Sequence, residues 1–202
     1  MVTRNWMKKA DQEVCSASLT AVVEAFPHLS RPVYHLFAYG FNPDNANGSG
    51  SVKQYARERG EVTTTLISRW FRAGASKRFM PKVLLGRMML VRMAGILEED
   101  HVSLSKAAEA LGFVSPQVCF RWLKRMTGQT VSDYRESGAA ANIELQRLIR
   151  DLREAPDELL IHLQDGVKQS PEKLHTSLIA RFPKCPRCGC RVACDVNAEG
   201  KR

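Results

Sequence analysis

Residues 111–135 decide the fold, and their sequence is LGFVSPQVCFRWLKRMTGQTVSDYR. Gly112 can adopt the left-handed conformation that ends a helix, so it closes the short amphipathic stretch before it. Ser115 is a good helix cap, and Pro116 suits the first position of a helix because its missing N–H needs no partner there. The stretch therefore predicts a helix, a tight turn and a second helix that runs to about Met126.

This second helix has two chemically different faces. The inner face is apolar and consists of Val118, Cys119, Trp122, Leu123 and Met126. The outer face, whose members share a helical spacing, consists of Gln117, Phe120, Arg121 and Lys124. Arginine can bond guanine bidentately and glutamine can do the same to adenine, so the pattern favours a helix that enters the major groove of DNA. An ordinary amphipathic helix pair in a helical bundle is the alternative.

The same stretch closely resembles the DNA-binding signature of AraC/XylS-type transcription regulators. That signature has Gly-Phe at the turn, a Ser-Pro-like helix start, a basic helix end, and Gly-x-Thr-Pro before a terminal Tyr-Arg. The matching residues are Gly112, Phe113, Ser115, Arg121, Lys124, Arg125, Gly128, Thr130, Tyr134 and Arg135. Cys119 replaces a usual Phe and Val131 replaces the usual Pro, and both departures fall at expected packing positions.

A weaker first copy of the unit precedes this stretch. A helix is expected to begin at Val52, Gly60 stands near the turn, and Thr63 is the expected cap of a second helix over residues 63–73. The side chains expected to face inward on that helix are Ile67, Trp70 and Phe71. Those expected to face outward are Thr65, Ser68 and Arg69. A linking helix over residues 81–99 follows, and its expected core residues include Met88, Met89 and Met93.

The resemblance implies that two recognition helices enter successive major grooves on one face of double-stranded DNA. The residues that it implies for base contacts are Thr65, Ser68, Arg69, Gln117 and Arg121. Those implied for phosphate contacts are Arg72, Lys77, Lys124 and Arg125. Phosphate contacts set affinity and base-edge contacts set sequence preference. A transcription regulator of this kind also implies RNA polymerase as a partner.

The net charge of +9 is concentrated in the same part of the chain. Residues 51–135 have 15 Lys and Arg against 7 Asp and Glu, whereas the first fifty residues have 4 against 4. From residue 136 onward the counts are 11 and 10. An excess in one module is typical of proteins that bind a polyanion, and a merely soluble basic surface is the alternative.

Other classes of protein lack support in the sequence. No apolar run reaches the roughly 18 residues of a membrane span, and the first residues contain no secretory signal, so we expect a cytoplasmic protein without membrane contact. Because the chain has no Gly-rich phosphate loop, His-Glu-x-x-His motif or nucleophile elbow, we expect no enzyme and no catalytic residue.

The expected fold class is all-α, since apolar residues recur at three- and four-residue spacing and strand signals are few. The expected parts are a short helical N-terminal segment (1–41), a flexible linker (42–50), two helix-turn-helix units joined by the linking helix (51–135), a helical extension (136–182) and a cysteine-rich tail (183–202). Helices outside the central part are predicted over 18–26, after Pro32, and over 139–154, 156–164 and 171–182. The helix over 139–154 has Leu145, Leu148, Ile149 and Leu152 on one face, and residues 139–154 are also a candidate homodimer contact.

The tail contains four closely spaced thiols, Cys185, Cys188, Cys190 and Cys194. Cys-x-x-Cys-Gly is a common half of a zinc ribbon, so one zinc ion per chain is the expected cofactor. No second half of a ribbon exists, and therefore these thiols would have to close the site locally. A reduced tail without structure and pairing between two tails are the alternatives.

Two other functions stay open at this point. The chain can be a helical interaction or adaptor protein in which the helix-turn-helix is vestigial. It can also be a thiol- or metal-responsive DNA-binding sensor, in which the cysteine tail switches the central domain.

Overall fold

A computed structural model describes residues 2–45, 51–98 and 102–164, with side chains from residue 7 onward. These residues form ten α-helices, one 3-10 turn and no strand, which confirms the all-helical class for the described part of the chain. The helices are α1 (Val2–Ala25), α2 (Arg31–Gly40), α3 (Val52–Glu58), α4 (Thr63–Arg72), α5 (Pro81–Leu97), α6 (Leu104–Ala110), α7 (Pro116–Thr127), α8 (Val131–Glu136), α9 (Ala141–Leu152) and α10 (Asp157–Leu160). The 3-10 turn is Lys77–Phe79. None of the described helices combines the length and the apolar character that crossing a membrane requires.

Helix α5 is the centre of the molecule. Of its 17 residues, 14 are buried, as expected for a helix that is apolar all round. Pro81 occupies its first turn, where a proline is tolerated. The three methionines predicted as core residues, Met88, Met89 and Met93, are all buried.

Two hydrophobic cores lie along α5. The first contains the start of α5 together with α2, α3, α4, α9, α10 and most of α1, with Phe37, Trp70 and Leu148 among its members. The second contains the end of α5 together with α6, α7 and α8, with Leu111 and Trp122 among its members. The first core thus combines residues from the predicted N-terminal segment, the central domain and the C-terminal extension.

Helix α1 is longer than the helix predicted over residues 18–26, because it starts at Val2. Its buried side recurs at helical spacing through Met7, Asp11, Cys15 and Ser18 before it reaches Leu19. Two members of that side are polar, so the apolar pattern became visible in the sequence only near its end. The prediction of a short helix was therefore wrong.

A buried ion pair explains why the polar residue Asp11 lies on the buried side of α1. Arg92 of α5 donates from Nε and Nη2 to the two carboxylate oxygens of Asp11, at 2.9 and 2.7 Å. Its Nη1 donates to the backbone carbonyls of Gly40 and Asn45, at 3.4 and 3.3 Å. Residues 42–45, predicted as part of a flexible linker, thus lie against α5, while residues 46–50 lie outside the described part.

Helix α9 corresponds to the helix predicted over 139–154, and Leu145, Leu148, Ile149 and Leu152 are buried on one side of it as predicted. That side packs into the first core of the same chain. The apolar face of this helix is therefore covered within one chain, and a homodimer through residues 139–154 stays a prediction. Helix α10 is shorter than predicted, and the helix predicted over 171–182 lies outside the described residues.

Candidate nucleic-acid interface

Local chemistry sets the direction of α7. Helix α6 ends at Ala110 with Leu111 as its cap, and Gly112 follows with a φ of 74°, in the left-handed region that favours glycine. The Ser115 hydroxyl accepts a hydrogen bond from the backbone N–H of Val118 at 3.3 Å, and α7 begins at Pro116 as predicted. The Phe113 ring packs against Trp122 with ring centroids 5.2 Å apart, which ties the turn to the second core.

The two faces of α7 differ in burial as the sequence predicted. Cys119, Trp122 and Leu123 are buried, and Val118 and Met126 are half-buried against the second core. The exposed side chains are Gln117, Phe120, Arg121, Lys124 and Arg125. The helix contains no acidic residue. None of its three cations forms an ion pair with another described residue, although the charge of Lys124 acts on the nearby Asp133 carboxylate.

The end of α7 is equally well defined. Gly128 terminates it with a φ of 77°, and Thr130 and Asp133 then form a reciprocal capping box at the start of α8. These hydrogen bonds from Thr130 hold the pKa of the Asp133 carboxyl below its ordinary value. Tyr134 is buried in the second core. The segment between α7 and α8 is thereby fixed by its own side chains.

The two departures from the family signature do occupy packing positions. Cys119 is fully buried, and burial raises the pKa of its thiol to about 12. Val131 is half-buried at the first position of α8 and packs against the second core. Neither residue lies on the exposed side of α7.

Helix α4 has the predicted length but a different inner face. Leu66 and Trp70 are fully buried, whereas Ile67 is 39% and Phe71 is 72% exposed. The sequence contains two apolar pairs at i and i+4 spacing, one residue apart, and periodicity alone does not choose between them. The prediction that Ile67, Trp70 and Phe71 face inward together was wrong for two of the three. Thr63 is not the cap either, since Val62 occupies that position.

Arg69, predicted to contact bases, points elsewhere. It is 11% exposed and donates from Nη2 to Glu61, which is 6% exposed. Glu61 also pairs with Arg59 at 3.4 Å, so this carboxylate is held between two guanidinium groups in the turn before α4. Leu66 and Trp70 face the core on the neighbouring positions, which rotates Arg69 toward the turn rather than toward solvent. Its outward orientation was a wrong prediction.

The remaining predicted residues of the first unit are on the surface. Thr65, Ser68, Arg72 and Lys77 are all exposed. Arg72 and Lys77 form no ion pair with any residue in the described ranges. Helix α4, like α7, contains no acidic residue. Because α4 packs in the first core and α7 in the second, the predicted residues form two surfaces joined by α5.

Ion pairs account for part of the basic excess counted in residues 51–135. Arg78 pairs with Glu154, Arg87 pairs with Asp151, and Arg92 pairs with Asp11. All three acids belong to the flanking segments, so a count of charges along the sequence could not reveal this neutralisation. The exposed cations of this segment without an ion pair among the described residues include those of α7, Arg72 and Lys77, and also Lys53, Arg57, Lys82 and Lys106.

No candidate metal site appears among the described residues, where no group of three His, Cys, Asp or Glu side chains converges. Cys15 and Cys119 are buried free thiols. The predicted zinc ligands Cys185, Cys188, Cys190 and Cys194 lie outside the described part of the chain. The zinc site therefore stays a prediction.

No protein-family profile, no curated protein and no solved structure matches this chain.

Proposed function

We propose that this chain is a sequence-specific DNA-binding transcription regulator of the AraC/XylS type, in which α3–α4 and α6–α7 act as two helix-turn-helix units. The observation that carries the proposal is the outer face of α7. It is exposed, basic and free of acids, and a capped start and a glycine end hold the helix in a defined direction. A helix with such a face suits the major groove of DNA.

On α7, Gln117 and Arg121 are the residues that contact base edges, because an amide and a guanidinium can each make two hydrogen bonds to a purine. Lys124 and Arg125 follow in the last turn of the helix and contact phosphates. All four side chains are exposed, and none of them has to leave an ion pair with a described residue before it binds.

On α4, the base-contacting face is formed by Thr65 and Ser68, and phosphates are bound by Arg72 at the end of α4 and by Lys77 in the 3-10 turn that follows. Arg69 has no direct role in base recognition in this proposal, because its guanidinium group is paired with the carboxylate of Glu61. The contacts of the first unit are consequently fewer and weaker than those of α7. We therefore assign most of the sequence preference to the second unit.

Binding of both half-sites by one molecule depends on how far apart the two units lie. Helix α5 has 17 residues, which corresponds to a length of about 25 Å, and it packs in the first core at its start and in the second core at its end. Successive major grooves on one face of DNA are about 34 Å apart. Binding of both grooves by one molecule therefore requires α4 and α7 to lie about this far apart on the outside of the two cores.

Contact with RNA polymerase and zinc binding by the cysteine tail are further parts of the proposal that rest on the sequence alone. They predict activity in transcription and one bound zinc ion per chain. DNA binding by α4 and α7 depends on neither of them.

The test is selection of bound duplexes from random DNA, followed by sequencing, at about 50 mM and about 200 mM salt. Wild-type protein should enrich a motif of two half-sites about one helical turn apart. Gln117→Ala and Arg121→Ala should each relax one or two positions within a single half-site. An exposed lysine outside both recognition helices, in Lys106→Ala, provides the matched control and should leave the motif unchanged.

Binding without any enriched motif and with a steep salt dependence would contradict the proposal. In that case the basic surface attracts any polyanion, and the adaptor function considered from the sequence becomes the better explanation.

A further inference from the structure

Two apolar side chains, Ile67 and Phe71, lie on the exposed face of α4 rather than in a core. Phe71 is 72% and Ile67 is 39% exposed, and they lie one helical turn apart. Phe71 follows Ser68 by three residues and Thr64 by seven, so it shares their side of the helix. The most exposed large apolar group of α4 therefore lies within the face assigned to base contacts.

We infer that Phe71 and Ile67 recognise the 5-methyl groups of thymine in the half-site bound by α4. This inference rests on the proposed DNA-binding function and deepens it. Thymine is the base that presents an apolar group in the major groove, and aromatic side chains are among those that contact it. Burial of that methyl group against Phe71 favours thymine over cytosine, which lacks it.

The surroundings of Phe71 favour DNA over a protein partner. Helix α4 contains no acidic residue, and the exposed Arg72 adjoins Phe71, so the face is compatible with a polyanion. Hydroxyl groups of Thr64 and Ser68 adjoin the apolar pair on the exposed face. A stable protein interface buries about 800 Å² on each partner, and two apolar side chains provide little of that area.

The absence of Arg69 from the base-contacting face supports the inference that α4 recognises thymine methyl groups. With Arg69 directed at Glu61, the exposed face of α4 contains hydroxyl and apolar groups and, in its last turn, the guanidinium of Arg72, which the proposal assigns to phosphates. Helix α7 instead presents Gln117 and Arg121. The two half-sites are thus recognised by different chemistry, because α4 offers apolar and hydroxyl groups, whereas α7 adds an amide and a guanidinium to its exposed Phe120.

The experiment uses the duplex selected by the full-length protein, with single thymines replaced by deoxyuridine so that only the methyl group is removed. In the α4 half-site, this replacement should weaken wild-type binding about fourfold for each contacted methyl group. In the α7 half-site it should have no effect except at a thymine that contacts Phe120, which is 36% exposed. Phe71→Ala should bind the thymine duplex more weakly by a similar factor and should lose nothing more on the deoxyuridine duplex.

Ile143→Ala is the matched control, because Ile143 is an apolar residue of α9 that is 44% exposed. It should bind both duplexes like the wild type. Phe71 is exposed enough that its truncation leaves the cores intact, and equal midpoints of thermal unfolding for wild type and variant would document this.

Three results would overturn the inference. Equal binding of wild-type protein to thymine and deoxyuridine duplexes excludes methyl recognition while the bipartite motif, and with it the proposed function, still stands. If Phe71→Ala lowers the affinity for both duplexes by the same factor, Phe71 does not contact the methyl group. A Phe71→Ala variant with unchanged DNA affinity but a lower mass by light scattering would assign the face to a second copy of the chain.

Discussion

At the scale of single residues, the arginines of the central segment form two groups that differ in burial. Arg121 and Arg125 are exposed and have no partner among the described residues, whereas Arg69 and Arg92 are directed at the carboxylates of Glu61 and Asp11. In the sequence all four are basic residues of one positively charged stretch. Their partners lie 8 positions away for Arg69 and 81 positions away for Arg92, so charge counting could not distinguish them.

Arg92→Leu should lower the free energy of unfolding by about 3–5 kcal/mol, because it leaves the Asp11 carboxylate buried without a cation. Denaturant titration followed by circular dichroism measures the change. The double variant Asp11→Leu/Arg92→Leu should recover much of the loss, since no unpaired charge remains. If Arg92→Leu has the same free energy of unfolding as the wild type, the ion pair between Asp11 and Arg92 does not stabilise the fold.

Arg69→Ala should lower the free energy of unfolding by about 1.5–3 kcal/mol and leave base preference unchanged. The loss is limited because Arg59 still pairs with Glu61. Denaturant titration gives the stability, and selection from random DNA gives the base preference. Relaxed specificity at one base position with unchanged stability would instead support the base contact that the sequence indicated for Arg69.

At the scale of helices, prediction from sequence succeeded where short-range chemistry decides the outcome. Gly112, Ser115 and Pro116 set the end of α6 and the start of α7 through their own backbone preferences, which any chain with these residues shares. It failed for α4, since the choice between Leu66 and Ile67 as core residue depends on which face of the helix meets the first core. It failed for the start of α1 because Asp11 is buried only through its distant partner.

The crossing of α1 and α5 depends on a glycine. A Cβ atom on Gly95 would lie 2.5 Å from Cγ2 of Val14 and 3.3 Å from the Cβ of Ala141. Gly95→Ala should therefore lower the free energy of unfolding by about 1–2 kcal/mol, even though alanine favours the helix by about 1 kcal/mol.

Thermal unfolding of Gly95→Ala and of Val14→Ala/Gly95→Ala measures this effect. The double variant should be more stable than Gly95→Ala alone, because removing the valine methyl groups relieves the contact. If Gly95→Ala stabilises the protein by itself, the two helices are not packed this closely.

At the scale of the whole molecule, the segments that the sequence separates are joined. Leu148 and Leu152 of α9 and Leu19 of α1 complete the core that contains Trp70 of α4. The sequence shows the apolar faces of these helices but not that they cover one another. The position of α4 relative to α7 consequently depends on residues far outside the central stretch.

A fragment of residues 51–135 should fail to fold cooperatively, whereas a fragment of residues 2–164 should fold. The shorter fragment lacks α1, α2 and α9, and with them much of the first core. Dispersion of amide signals in NMR spectra and sigmoidal thermal unfolding distinguish the two outcomes. If the shorter fragment is as stable as the longer one, residues 51–135 form an independent domain whose stability does not depend on the flanking helices.

The most direct test of the central claim is to change the spacing of the two half-sites in the selected duplex. If one rigid frame built on α5 presents α4 and α7 to the same face of DNA, inserting five base pairs, about half a helical turn, moves the half-sites to opposite faces. We expect wild-type affinity to fall to that of a duplex with one half-site. Unchanged affinity for the lengthened duplex would contradict the claim, because the two surfaces would then bind DNA independently of each other.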